Sequence, residues 1–263
     1  MPTSPAYSAP SRWATFLEVR ASWEALGLLG RLSDLRKAPR GDGRPLMLVP
    51  GFWADGYSMV PLRAFLRRLG YRVFDWGLGR NRGEVEEDIV ALGGRVDEVF
   101  SVEGEPLTLI GWSLGGVLCR EVARLQPDQV REVITFGTPV VGGPKYTALA
   151  DWIVKRRQID LPALEADILR RNRLGFKQPV TSVYSKADGI VGWTASLDTF
   201  NPQARNIEVK GSHLGFGVNP RVWLLIAETL ASSPRSAAMS EAAAYGGPGG
   251  VGGGATARRC AGR

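Results

Sequence analysis

The sequence predicts an α/β fold, a mostly parallel sheet of about six strands flanked by helices. Short apolar, β-rich runs alternate with stretches of helical periodicity across residues 44–231. Several runs, such as Leu46-Met47-Leu48-Val49 and Leu107-Thr108-Leu109-Ile110, are almost continuously apolar, as strands covered on both faces are. The second of these leads directly into Gly111-Trp112-Ser113-Leu114-Gly115-Gly116, a glycine-bounded turn from strand to helix with a serine at its apex.

Residues 1–43 read as an N-terminal helical segment and linker. Residues 1–10 are rich in Pro and Ser, and residues 11–38 place Trp13, Phe16, Leu17, Leu26, Leu29 and Leu32 at near-helical spacing. That apolar face is expected to cover part of the main domain; the alternative is that it lies on a membrane surface. Gly41 and Gly43 mark a turn, and residues 46–49 form the first strand. A helix over residues 61–69 has Pro61 in its first turn and Gly70 past its end. Residues 71–74 form the second strand. Residues 84–100 form an acid-fronted helix that contains Gly93 and Gly94.

Residues 107–110 form the strand before Ser113, and a helix follows through Leu125. Residues 130–136, 179–184 and 206–209 complete the strands. Asn219 caps a last helix that Pro220 opens and that runs to Leu230. Residues 140–178 interrupt the alternation with two helices, near 147–157 and 162–171. Their length favours a lid over the site; the alternative is an enlarged connecting helix. Residues 232–263 shift to Ala, Gly, Ser and Arg and are expected to be disordered.

The chain is 44% hydrophobic and 22% charged, ordinary globular material, and no apolar run reaches membrane-spanning length. The start lacks the apolar core of a signal peptide, and Cys119 and Cys260 are placed too differently to form a bridge, so a cytoplasmic location is expected. One histidine and two distant cysteines make no zinc-like ligand set, so neither metal nor cofactor is expected. The net charge of +7 reads as a solvated basic surface, with weak membrane-surface association as a secondary expectation. No nucleic-acid-binding motif accompanies it.

A serine hydroxyl is a poor nucleophile without a base, and the sole histidine is His213, in Gly211-Ser212-His213-Leu214-Gly215. Between the two lies Asp188, in Ser185-Lys186-Ala187-Asp188-Gly189, also just past a β-rich run. Asp198 is the nearest competitor for the acid; Asp55 and Asp151 are weaker. The backbone N–H of Leu114, at a helix start, would serve as one oxyanion donor. Trp53, Trp112 and Trp193 each neighbour a site element and either line an apolar acyl pocket or pack in the core.

These motifs, with Val49-Pro50-Gly51-Phe52 and Phe136-Gly137-Thr138-Pro139, resemble those of the α/β-hydrolase superfamily, and within it bacterial lipase- and esterase-like proteins. The resemblance covers most of residues 44–231. It implies the α/β-hydrolase fold with a helical lid, a serine ester hydrolase working through a Ser113–His213–Asp188 triad and an acyl-enzyme, and a small ester or lipid substrate. It also implies the backbone N–H of Phe52 as the second oxyanion donor. Many relatives carry His-Gly where this chain has Pro50-Gly51; the donor is backbone, so the histidine is not required. The antiparallel hairpin that opens the sheet in relatives has no counterpart, and helix-like sequence stands there. Two other functions fit the same motifs: an acyltransferase or thioesterase with the same triad, and a non-catalytic ligand-binding member of the fold.

Overall fold

The strands β1 (Pro45–Val49), β2 (Arg72–Asp75), β3 (Leu107–Trp112), β4 (Val130–Phe136), β5 (Val180–Tyr184) and β6 (Ala204–Glu208) form one sheet in the order β2-β1-β3-β4-β5-β6. Every pairing in it is parallel. This is a computed structural model that describes residues 6–233; the expected tail lies almost wholly outside the described residues.

Helices precede and join the strands: α1 (Arg12–Phe16), α2 (Ala21–Gly30) and α3 (Leu32–Arg36) before the sheet, α4 (Val60–Leu69) and α5 (Val85–Glu103) on either side of β2, and α6 (Leu114–Leu125) after β3. Then α7 (Ala150–Arg157) and α8 (Leu161–Leu174) occupy the interruption between β4 and β5, and α9 (Pro220–Ser232) closes the order. The sequence places Pro61 and Gly70 correctly as the ends of α4; Gly70 takes the left-handed conformation at its C-cap. Gly93 and Gly94 are absorbed into α5, which runs unbroken past both. At Gly93 the missing side chain admits Gln126, whose amide donates to the Gly93 carbonyl at 3.2 Å.

Side chains alternate across a strand, so each buried strand feeds two cores. Leu46 and Leu48 of β1 join Leu62 and Leu66 of α4 and Ile226 and Leu230 of α9 on one face. Met47 and Val49 join Leu92 and Val96 of α5 and Leu118 and Val122 of α6 on the other. Covered on both sides, the sheet leaves its carboxyl edge and the loops there as the place for chemistry.

The N-terminal segment lies against the domain, with Trp13 and Phe16 of the expected apolar face turned outward. Trp13 and Phe16 stack on each other at 5.6 Å and stand 68% and 62% exposed, with Trp23 at 76%. Among the described side chains, Thr15, Glu18, Arg20 and Glu24 make polar contacts with the loops after β5 and β6, while Leu35 and Ala38 join the hydrophobic core.

Candidate active site

Ser113 terminates β3 and caps α6 with φ 53° and ψ −122°, a backbone conformation that is strained for any residue but glycine. Close packing around it needs small residues. A Cβ on Gly111 would overlap the backbone of Gly116, one on Gly115 the carbonyl of Val49, and one on Gly116 the hydroxyl of Thr138. The turn is tied down by the Ser113 N–H donating to the Phe136 carbonyl (2.9 Å) and by Thr138 Oγ1 donating to the Ser113 carbonyl (2.9 Å). Thr138 is a residue whose role the sequence leaves silent.

Asp188 and His213 come from the loops after β5 and β6, at the same edge of the sheet. His213 Nδ1 lies 2.7 Å from Asp188 Oδ2, and both side chains are buried. The other carboxylate oxygen, Asp188 Oδ1, accepts N–H bonds from Ile190 (2.9 Å) and Val191 (2.7 Å), which fix the orientation of the carboxylate. The imidazole sits over Gly137, at the end of β4, where a side chain would press on Cε1 and Nδ1 at 2.9 Å. It also lies 6.1 Å, ring to ring, from Trp112. Asp198 is engaged elsewhere: its Oδ2 accepts from Arg120 at 2.6 Å, and both side chains are buried. Asp55 caps the turn before α4 and accepts from the Tyr57 N–H. Asp151 sits exposed in the first turn of α7.

The loop after β1 lies against the serine. A Cβ on Gly51 would stand 3.2 Å from the Ser113 Cβ, so any other residue would crowd the serine side chain. Leu114 is the first residue of α6, where a helix leaves its N–H without an intrahelical acceptor. Asn81, fully buried, braces the loop that carries Phe52. Its side-chain amide donates to the Pro50 carbonyl (2.9 Å), its carbonyl accepts from Trp53 (2.7 Å), and its N–H donates to the Ala54 carbonyl (2.8 Å). Sequence reasoning missed Asn81; the only signal was an asparagine in the turn-like run Arg80-Asn81-Arg82-Gly83.

Aromatic residues surround this loop unequally. The Phe52 ring meets Trp152 of α7 edge-on at 6.0 Å and Trp53 at 6.1 Å. Trp53 is half-exposed, with the Arg80 guanidinium over its ring. Trp112 stacks on Phe136 beneath the histidine. Trp193 instead stacks on Tyr184 under Lys186, with no ring contact to the Phe52 cluster. Trp152, which the sequence did not single out, thus contacts the Phe52 loop where Trp193 does not. The α7–α8 insertion is also tied to this edge. Arg157 donates to both Glu84 carboxylate oxygens (2.7 and 3.1 Å) and to the Arg82 carbonyl (2.5 Å). That hydrogen bond from Arg157 holds the Glu84 carboxyl below its ordinary range.

Cys119, buried in α6, is free; burial pushes its thiol far above its ordinary range, so it carries no chemistry. Among the described residues no cluster of His, Cys, Asp and Glu could hold a metal ion, and no helix is long and apolar enough to cross a membrane.

Comparison with known proteins agrees with this architecture. A pimeloyl-[acyl-carrier protein] methyl ester esterase from Aeromonas hydrophila is 25% identical, over 72% of this chain and 95% of its own. A lipase-esterase related protein from Clostridium acetobutylicum superposes with a TM-score of 0.55 at 16% identity, over 75% of this chain and 97% of its own. The monoacylglycerol lipase of Paleococcus ferrophilus gives 0.54 at 18%, over 75% and 97%. A model of the alpha/beta hydrolase family matches residues 46–253, and the chain belongs to that family.

Proposed function

We propose that this protein is a serine carboxylic-ester hydrolase with Ser113 as nucleophile, His213 as base and Asp188 as the acid that orients it. The observation that carries the reading is the buried His213–Asp188 contact, 2.7 Å long, at the sheet edge where Ser113 stands on its strained turn. Asp188 accepts a hydrogen bond from the Nδ1–H, which keeps the proton on that nitrogen and leaves the Nε2 lone pair to take the proton of the Ser113 hydroxyl. Ser113 Oγ then adds to the ester carbonyl carbon, and the oxygen that gains charge meets the N–H groups of Leu114 and Phe52. As that tetrahedral species collapses, the bond to the alkoxy oxygen breaks. The imidazolium returns its proton to the departing alcohol, and an acyl-serine remains. Water, deprotonated by His213, repeats the addition and releases the acid.

One donor lies at the start of α6 and the other in the loop that Asn81 braces, which supports a reading in which forming the oxyanion requires little reorganisation. Phe52 and Trp152 offer an apolar surface beside these donors, which suits a neutral acyl chain. The α7–α8 insertion serves as a lid over it. The similarity to an enzyme that acts on a methyl ester supports esters as the substrate class. A fluorophosphonate probe tests the proposal: the wild type should be labelled on Ser113 and Ser113→Ala should not, with nitrophenyl ester turnover lost in parallel. Undiminished labelling of Ser113→Ala would remove the nucleophile assignment.

A further inference from the structure

We infer that Glu18, on the N-terminal segment outside the region matched by the family, is a positioning residue that fixes the acid and base of the site relative to each other. The inference rests on the Ser113–His213–Asp188 reading above. Glu18 is 5% exposed, and its carboxylate accepts three backbone N–H bonds from two different loops. Oε1 accepts from Gly189, next to the acid, at 2.7 Å and from His213 itself at 2.9 Å. Oε2 accepts from Leu214 at 2.8 Å. One side chain, from a turn more than a hundred and seventy residues earlier, therefore bridges the chain on the far side of Asp188 to the backbone of His213.

The neighbouring residues complete the grip. Thr15 Oγ1 donates to the Gly189 carbonyl (2.7 Å) and Arg20 to the Ala187 carbonyl (2.7 Å), so the acid loop is held through its carbonyls as well as its N–H. Glu24 accepts the Ser212 N–H (2.9 Å) and the Ser212 hydroxyl (3.1 Å), and pairs with Arg20 at 3.2 Å. The glycines of both loops let the segment in: a Cβ on Gly189 would overlap the Ala14 carbonyl, and one on Gly215 the Glu24 carboxylate. An aliphatic side chain in place of Glu18 would leave three N–H groups without acceptors at the point where two catalytic loops meet. The loops would then shift or exchange water into the gap, and the His213–Asp188 pair would lose its fixed geometry. None of these contacts involves the Phe52–Trp152 surface, so substrate binding should not depend on them.

The tests are Glu18→Ala and Glu18→Gln in the full chain, with active sites counted by a fluorophosphonate burst so that turnover is expressed per competent site. Glu18→Ala should lower kcat about 10- to 100-fold, since a misplacement of about 1 Å costs up to 10²-fold, with KM little changed. Glu18→Gln should fall between it and the wild type. Its carbonyl oxygen can keep the Gly189 and His213 bonds, while its NH2 confronts the Leu214 N–H. Because the chain has one histidine, the proton NMR signal of the ring Nδ1–H needs no assignment. That signal should be sharp in the wild type, broadened by solvent exchange in Glu18→Gln and lost in Glu18→Ala. Wild-type kcat per site with an unchanged Nδ1–H signal would overturn the inference and leave Glu18 as a structural tether. If Glu18→Ala does not fold, the glutamine variant decides by the same two readouts. Failure of the triad reading looks different: the wild type itself would not label at Ser113, while the Nδ1–H comparison would still report whether Glu18 holds the His213–Asp188 pair.

Discussion

Replacing Asp188 by asparagine should silence the site through a tautomer, and the structure sets how strongly. Asp188 Oδ1 is committed to two N–H donors, at 2.9 and 2.7 Å, so the amide oxygen of an asparagine must go there. Its NH2 then faces His213 Nδ1, which becomes an acceptor, and the imidazole proton moves to Nε2, the nitrogen that should deprotonate Ser113. Turning the amide round would restore the tautomer but leave two buried N–H groups facing an NH2. At about 1–3 kcal/mol per unsatisfied buried group, that orientation costs about 2–6 kcal/mol. With about 1.4 kcal/mol per tenfold, the expected loss of turnover runs from about 30-fold to above 10⁴-fold; a serine protease triad given the same change loses about 10⁴. Asp198→Asn is the control. It removes the charge facing the buried Arg120 at 2.6 Å, so it should destabilise the fold, by about 3–5 kcal/mol if it behaves as a broken buried pair, yet leave turnover per active site within about twofold. Nitrophenyl butyrate hydrolysis normalised to active sites, with melting curves for both variants, separates the two effects. Near wild-type turnover in Asp188→Asn with an inactive Asp198→Asn would refute the reasoning and move the acid to Asp198.

Asn81→Ala should reduce kcat about 10- to 100-fold, less than the 10²–10³ expected for complete loss of an oxyanion donor, because the loop it braces loosens without being deleted; steady-state kinetics on a short-chain ester would show it. Arg157→Ala should release α7 and speed proteolytic cleavage within residues 140–178. Acid should do the same to the wild type: the Glu84 carboxyl, held low by Arg157, keeps the contact intact at neutral pH and surrenders it as pH falls through that depressed value, so cleavage of Arg157→Ala should be nearly insensitive to pH. Cys119 should stay unmodified by iodoacetamide in the native protein at pH 8 and react only on unfolding, as peptide mass spectrometry would record.

The sheet was legible because its information is local. Apolar runs, Pro61, Gly70 and the Asn219-Pro220 cap each report on the few residues around them, and all six strands lie within a residue or two of their expected places. Ser113 was legible for the same reason: the glycines that allow β3 and α6 to touch lie within three residues of it. The choice between Asp188 and Asp198 was not. Both aspartates accept, through Oδ1, the N–H groups two and three residues further on, and so sit in near-identical local turns. What separates them is the partner of Oδ2, His213 in one case and Arg120 in the other, and neither pairing leaves a trace in the sequence around the aspartate. Asn81 escaped notice similarly, since the atoms it satisfies lie about thirty residues away.

The start of the N-terminal segment turns two of the aromatic residues of its expected apolar face outward. Trp13 and Phe16 suggested an apolar side turned inward, as on a helix that covers a core. The surface this segment meets is a rim of loops after β5 and β6, where Gly189, Ser212, His213 and Leu214 present N–H groups that no strand or helix satisfies. Such a rim selects acceptors. A buried N–H without a partner costs about 1–3 kcal/mol, so four of them cost about 4–12 kcal/mol, enough to draw acceptors to this rim. Glu18 and Glu24 therefore turn inward, and Trp13, Phe16 and Trp23 are left outside. The inward side chains at Glu18 and Glu24 are matched to the surface they cover, and that surface needs acceptors because its loops carry Asp188 and His213.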